Sequence, residues 1–386
     1  MKRWPTIPLA SLGPIADGDW ILKENYTSGG VRLIQVGDVG VGEFIGKSSK
    51  YISPKRAEEL QCFFLKEGDI LISRMPDPLG RACIFPGLEC PAITAVDVAI
   101  FRPDPNKVNP RMVNYFLNSK PWFDEVLRYA TGTTRPRISR TRLEQLEVPV
   151  PPLAEQERLV KLLDEADELR KLRARADRRT AELIPALFYE MFGNPSTNPK
   201  GWPKGGLGDF CELNNGFPFK PTDWDGIGLP IIRIQNLNDR AKPFNSTSKV
   251  LPDKFLVRRG DILLSWSGTP GTSFGCFRWD GPTGWLNQHI FNVRLDPRLE
   301  GDFFIHSVNA RLGELIAKAH GGVGLQHVTK GILNSVELLV PPLSLQKSFS
   351  NRVEDIRKLE ADQAASRLRL EALFQSMLHR AFNGEL

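Results

Sequence analysis

The sequence predicts an α+β protein in which two strand-rich globular units are separated by two long helices that pair as an antiparallel coiled coil. Three observations carry that expectation. The chain repeats itself after about 190 residues, each repeat begins with short apolar runs broken by Gly, Pro, Asp and Asn, and each closes on an apolar spacing of seven residues. At 386 residues the chain also exceeds the roughly 250 residues at which a single core stops growing.

The repeat is read from ordered matches. Gln35 in RLIQVGDV pairs with Gln235 in IIRIQNLN, 200 residues on, and Gly68-Asp69-Ile70-Leu71 pairs with Gly260-Asp261-Ile262-Leu263 at 192. Pro151-Pro152-Leu153 and Gln156 pair with Pro341-Pro342-Leu343 and Gln346 at 190. Within each copy the runs VRLIQV, DILIS and AITAVDVAIF, or PIIRIQNL, DILLSW and HIFNVRL, read as strands bounded by turn formers. A helical stretch follows in each copy, NPRMVNYFLNSKPWFDEVLRYA and GDFFIHSVNARLGELIAKA. The expected order is a globular domain over 1–150, a proline turn and helix over 151–192, a second domain over 193–340, and a second turn and helix over 341–386.

The helices are predicted from a heptad stripe. Leu159, Ala166, Arg173, Thr180 and Leu187 recur at seven, interleaved with Leu162, Leu169, Ala176 and Leu183. The second stripe is Phe349, Ile356, Gln363, Leu370 and Met377, with Leu359, Ser366 and Leu373 between. A lone helix would leave such a stripe in water, so the two are expected to cover one another. A helix from Ala154 to Phe192 spans about 57 Å, the length of some 15 base pairs of duplex.

Composition narrows the chemistry. A net charge of +6 suits a polyanionic partner without requiring one. Five cysteines without CxxC spacing suggest neither a disulfide framework nor a zinc site. There is no secretory start and no apolar run of 18 residues, so a cytoplasmic protein is expected, with no membrane partner. All five histidines fall in the second copy, so histidine chemistry cannot be common to both. The glycine-rich stretches at 268–271 and 321–324 lack the lysine of a phosphate-binding loop. No nucleophile, carboxylate pair or metal-spaced cluster repeats, so no catalytic and no metal-ligating residue is assigned.

Candidate nucleic-acid contacts are cationic or groove-sized. Arg128, Arg135, Arg137, Arg140 and Arg142 fall within fifteen residues that contain no acid, a composition suited to phosphates or to a bidentate contact with guanine. Arg74 and Arg81 flank the turn RMPDPLGR, where the second copy has Trp266 and Thr269; Lys330 lies in the region matching the arginine-rich stretch. Gln35, Gln235 and Asn236 carry amides of the adenine-reading kind, although their repetition favours a shared structural hydrogen bond.

The pattern GDILISR, GTTRPRIS and VPVPPLAEQERLVKLLDEAD, repeated as GDILLSW, GVGLQHVT and VELLVPPLSLQKSFSNRVEDI, resembles the specificity subunit of type I restriction-modification enzymes over essentially the whole chain. The resemblance implies two target-recognition domains that each read half of a split asymmetric DNA sequence. It further implies that the paired helices space them and dock two adenine methyltransferase subunits, with Leu159, Leu162, Leu169, Leu183, Ile356, Leu359, Leu370 and Leu373 serving the coiled coil or the docking. S-adenosylmethionine, ATP and magnesium would belong to the methyltransferase and restriction subunits, none to this chain. The alternative is a scaffold with two ligand-binding domains on a helical spacer that does not bind DNA.

Overall fold

The computed structural model describes residues 4–239, 241–268, 274–317 and 326–386. They form two compact units, Met1–Ala174 with Ala365–Leu386, and Arg175–Ala364. The division differs from the expected one because the ends of the long helices carry part of each unit's core. In unit 1, Leu159, Leu163, Phe374 and Phe382 are buried in one cluster with Met112, Phe116 and Trp122. In unit 2, Ile184, Phe188, Phe192, Phe349 and Val353 share a cluster with Phe303 and Phe304. Each such side chain contributes about 1.5–3 kcal/mol on burial, so a globular domain cut free of its helix segments would lose a wall of its core.

The units repeat one frame. In unit 1 an antiparallel sheet has the order Ile15–Ala16, Val98–Phe101, Ile70–Ser73, Ala82–Ile84, and a second sheet the order Tyr26–Thr27, Tyr51–Ile52, Val31–Ile34, Ala92–Thr94. Unit 2 answers with Cys211–Asn215, Ile290–Leu295, Ile262–Ser265, Gly275–Arg278, and with Asn245–Thr247, Leu229–Ile232, Gly284–Leu286, Leu256–Val257. One parallel pairing occurs in each second sheet, Val31–Ile34 with Ala92–Thr94 and Leu229–Ile232 with Gly284–Leu286. Thr6–Pro8 pairs with Glu147–Pro149, and Lys204–Gly206 with Glu337–Leu339, so each unit closes its beginning on its end.

Local chemistry explains the repeated motifs. Gly68 and Gly260 sit at φ of 89° and 98°, a region that costs glycine least, in the turn that launches the central strand. Asp69 accepts the Lys66 N–H at 2.8 Å and Asp261 that of Arg258 at 2.9 Å. Buried Asp69 also takes two donors of Arg102, each at 2.7 Å, which raises the arginine's pKa. Asp38 and Asn236, 198 residues apart, make one further shared bond, to the N–H of Gln35 and of Arg233. The counterpart of Gln35 is thus Arg233 and not Gln235, and buried Asn236 holds main chain.

Gln156 and Gln346 are both fully buried at the start of the long helices. The Oε1 of Gln156 accepts the Asn109 N–H at 2.7 Å while its Nε2 donates to the Pro151 carbonyl at 2.8 Å. Gln346 accepts the Glu300 N–H at 2.8 Å and donates to the Pro341 carbonyl at 2.8 Å. Asn109 and Glu300 are the N-caps of the helices Pro110–Phe116 and Gly301–Ala310, so each glutamine joins two helix beginnings. The preceding Val150 and Val340 donate to the Pro5 and Pro203 carbonyls at 2.9 and 2.7 Å. Trp4 and Trp202, beside those prolines, donate to the Ala381 and Phe192 carbonyls at 2.7 and 3.1 Å near the ends of the long helices.

The first long helix runs Leu153–Ala181 and resumes over Leu183–Phe192. Pro185 has no N–H for the Ala181 carbonyl, which accounts for the interruption at Glu182. The second is continuous, Leu343–Asn383. Within each unit the segments are antiparallel: Arg170 meets Glu371 at 2.7 Å and Arg158 reaches the Leu386 carbonyl at 2.8 Å in unit 1. In unit 2 Thr180 accepts from Gln363 at 3.0 Å, and Phe188 and Phe192 meet Phe349 at 5.8 and 5.4 Å.

The stripe differs from the expected one in its interleaved positions. Leu159 lies in the seam, but its companions fall four residues on and not three. Leu163, Ile184, Val353 and Phe374 are buried, whereas Leu169, Leu183, Leu359 and Leu373 are 51, 44, 44 and 50% exposed. Leu162, Ile356 and Leu370 are half-buried at the seam's margin. Leucine stands at both alternatives or at the wrong one, so counting leucines selects the outer row. The inner row accepts Arg170 because its guanidinium lies 4.2 Å from the Phe374 ring centroid and pairs with Glu371.

Replacing Gln156 or Gln346 with Leu preserves bulk and strands a buried N–H and a buried carbonyl. Each substitution is expected to cost about 3 kcal/mol, seen as a lower denaturant midpoint; a cost under about 1 kcal/mol contradicts the structural role.

Candidate nucleic-acid interface

In unit 1, four connecting segments converge at one end of the sheets: residues 17–20, 74–81, 95–97 and 131–140. Their main chains fix the approach. The Asp19 N–H donates to the Thr94 carbonyl at 2.8 Å, and the Arg74 N–H donates to the Asp97 carbonyl at 2.8 Å. A Cβ on Gly18 would stand 2.1 Å from the Ala95 carbonyl oxygen, so glycine is required for the close crossing. Unit 2 repeats it, with Gly216 at 2.2 Å from the Asn287 oxygen. Thr131 and Arg137 exchange two main-chain hydrogen bonds of 2.8 Å, which close the arginine-rich loop on itself.

Side chains then knit the segments together. Arg74 donates Nε to the Ile138 carbonyl at 2.8 Å and pairs with Asp17 at 2.6 Å. Arg140 lies 3.5 Å from the same Asp17 and 3.2 Å from Glu144. Arg137 pairs with Asp97 and places Nε 3.2 Å from the Met75 sulfur. Arg135 is exposed and makes no hydrogen bond or ion pair among the described residues. The cluster thus presents one unengaged guanidinium and three restrained by the carboxylates of Asp17, Asp97 and Glu144. Partly exposed pairs of this kind are worth about 0–1 kcal/mol each, weak enough to exchange for a ligand.

The remaining arginines stand elsewhere. Arg81 is buried, and its guanidinium donates to the carbonyls of Val39 at 2.7 Å, Val36 at 2.9 Å, Pro78 at 3.1 Å and Met75 at 3.2 Å. Burial lowers its pKa, opposed by Asp77. Such a side chain holds the turn 75–80 in shape, and its expected place at the surface gives way to that role. Arg128 pairs with Glu125 at 2.9 Å along its own helix. Arg142 contacts Gln145 at 3.3 Å and covers the Tyr129 ring at 5.5 Å. Arg142, Tyr129 and Glu125 line a separate cleft with Trp4, Lys120 and Phe382, so neither Arg128 nor Arg142 joins the loop cluster's network.

Unit 2 keeps the frame and changes the side chains. Val328 donates its N–H to the Trp266 carbonyl at 3.0 Å, where Arg74 meets Ile138 in unit 1. Trp266 stacks on Phe291 with ring centroids 5.7 Å apart and lies 5.7 Å from the His289 ring. Lys330 donates to the Leu213 carbonyl at 2.8 Å, which ties it to the frame. Thr269 lies outside the described residues. Gln288, whose N–H donates to the Phe217 carbonyl at 3.0 Å and whose Nε2 lies 3.3 Å from the His289 ring nitrogen, belongs to the same loop end. Asp17, Asp97, Gln288 and His289 were not singled out from sequence. The first two lie far apart in the chain from the arginines they hold, and nothing local marks them.

Among the described residues no group of three or more His, Cys, Asp or Glu side chains is arranged to hold a metal ion. All five cysteines are free thiols. Burial pushes Cys62 up to about 11 and Cys83 and Cys211 up to about 12, so these thiols stay protonated near neutrality. His306 is pushed down to about 4, first by burial and then by Arg357, and its ring packs on Phe349 at 5.5 Å as part of an aromatic core. Among the described residues no helix is long and apolar enough to cross a membrane.

The model of the type I restriction modification DNA specificity domain matches the chain twice, over residues 1–177 and 199–366. A putative type I restriction enzyme MjaX specificity subunit of Methanocaldococcus jannaschii is 21% identical, over 100% of this chain and 94% of its own. The StySPI specificity subunit of Salmonella potsdam is 22% identical over 100% and 89%. A chain from a structural study of complex assembly and conformational transition of the type I R-M system superposes with a TM-score of 0.66 at 19% identity, over 100% of this chain and 99% of that one. The S subunit from M. genitalium gives 0.53 at 14% identity, over 98% and 96%. With the specificity-domain match covering most of the chain in two copies, the protein belongs to the family of type I restriction-modification specificity subunits.

Proposed function

We propose that the chain selects the DNA sequence at which a type I restriction-modification complex acts, each unit reading one half of a split, asymmetric duplex target through its loop cluster. One observation carries this reading: the same main-chain crossings recur, Asp19 to Thr94 and Ala95 to Ile34 in unit 1, Phe217 to Leu286 and Asn287 to Ile232 in unit 2, with Arg74, Arg137 and Arg140 at the loop ends of the first and Trp266, His327 and Lys330 at the matching places of the second. A frame kept for shape with changed side chains at its loop ends suits two readers of different base sequences. Unengaged Arg135 is a phosphate or guanine contact in this account, and Trp266 offers an aromatic face beside His289.

The outward leucines of the helices, Leu169, Leu183, Leu359 and Leu373, provide apolar footing for methyltransferase subunits. Methyl transfer, with S-adenosylmethionine, and ATP- and magnesium-dependent cleavage belong to partner subunits, and the adenine to be methylated swings out of the duplex into a partner's pocket. The complex works in the cytoplasm, on double-stranded DNA.

Adenine methylation mapped in cells carrying this gene and its neighbouring methyltransferase is expected to show a split motif that disappears when this gene alone is removed. An unchanged pattern, with both proteins present and folded, contradicts the reading and leaves the scaffold alternative. In duplex binding by the full chain, Arg135→Ala is expected to reduce the slope of log K against log salt by about 1, the loss of one phosphate contact. An unchanged slope removes Arg135 from the interface.

A further inference from the structure

We infer that Asp17 and Asp97 are specificity-determining residues of unit 1, which keep its basic loops from grasping the phosphate backbone of any duplex. The inference rests on the DNA-reading function proposed above. Asp17 holds Arg74 at 2.6 Å and Arg140 at 3.5 Å, and Asp97 holds Arg137. Asp97 is the ion-pair partner of Arg137 among the described residues, while Arg74 also keeps the Ile138 carbonyl at 2.8 Å and Arg140 also keeps Glu144 at 3.2 Å.

The shared sheet frame does not depend on a carboxylate at either place. The residue matching Asp17 in unit 2 is Asn215, at the end of the equivalent strand, and the residue matching Asp97 is His289, immediately before the equivalent strand Ile290–Leu295. Unit 2 builds the same sheet without a carboxylate at either place.

The chemistry distinguishes backbone from base. A phosphate recruiting Arg137 must displace a carboxylate that offers the guanidinium nearly the same two-oxygen partner, and the displaced carboxylate then faces the phosphate anion. Little is gained in the exchange. A base edge such as guanine O6 and N7 is uncharged and meets the guanidinium fork without that repulsion. The acids therefore weaken indiscriminate binding more than binding to the right sequence.

The test uses the full chain and a random-sequence duplex pool, with affinity measured from about 50 mM salt upward. Asp17→Asn and Asp97→Asn are each expected to bind the pool about three- to tenfold more tightly and to steepen the salt slope by about 0.9 per recruited phosphate. Glu59→Gln, which frees the Arg56 partner of a pair at 2.9 Å on another element, controls for net charge and is expected to leave the slope unchanged. Adding Arg137→Ala to Asp97→Asn is expected to cancel the gain. Unchanged or weaker pool binding by both aspartate variants overturns the inference alone, as does an equal gain from Glu59→Gln. Failure of the wild-type chain and every variant to bind the pool at low salt overturns the DNA-reading function along with it.

Discussion

A single buried amide sets the geometry of each half of this protein. Gln156 and Gln346 both bind the N–H of an N-cap residue on one side and a proline carbonyl on the other. A side chain with one acceptor and one donor head can satisfy both groups at once, which no apolar residue and no carboxylate could do. The two prolines ahead of each glutamine remove N–H groups that would otherwise need partners at a crowded helix start. From this clasp the long helix leaves at a fixed angle to the domain's own helix, and its apolar face completes the domain core.

With the helix fixed, the other repeated elements take their places. Val150 and Val340 carry the strand onto Pro5 and Pro203, and the neighbouring tryptophans hold a returning helix end. Gly68-Asp69 and Gly260-Asp261 turn the chain into the central strand. Polar residues within the helix seam add register at a cost in stability: Thr180 bonds Gln363 in unit 2, and Arg170 engages Glu371 and Phe374 in unit 1. What these constraints leave free is the set of loop ends, where the two units hold different side chains on the same main-chain crossings.

Much of the fold was legible because repetition multiplies weak signals. Gly-Asp-Ile-Leu or Pro-Pro-Leu alone is unremarkable, but their order in two copies gave the strand-rich units and both helices. The Trp4-Pro5 and Trp202-Pro203 pair, 198 residues apart, carries the same signal. Seam register was less legible, since Leu162 and Leu163 are equally apolar and only packing distinguishes a companion three residues on from one four residues on. The candidate interface was legible in part. Charge density pointed to the loop of Arg135, Arg137 and Arg140, whereas the burial of Arg81 and the carboxylates of Asp17 and Asp97 depend on contacts between residues 40 to more than 100 positions apart.

The central claim is that each unit reads its own half of the target from its own loop cluster. The most direct measurement compares adenine methylation motifs in cells carrying Arg137→Ala in unit 1 with those in cells carrying Gln288→Ala in unit 2, each with the same methyltransferase. The account predicts that each substitution relaxes the bases of one half of the motif and leaves the other half as it was, a different half in each case. Both halves changing together, or the same half changing for both substitutions, would contradict it.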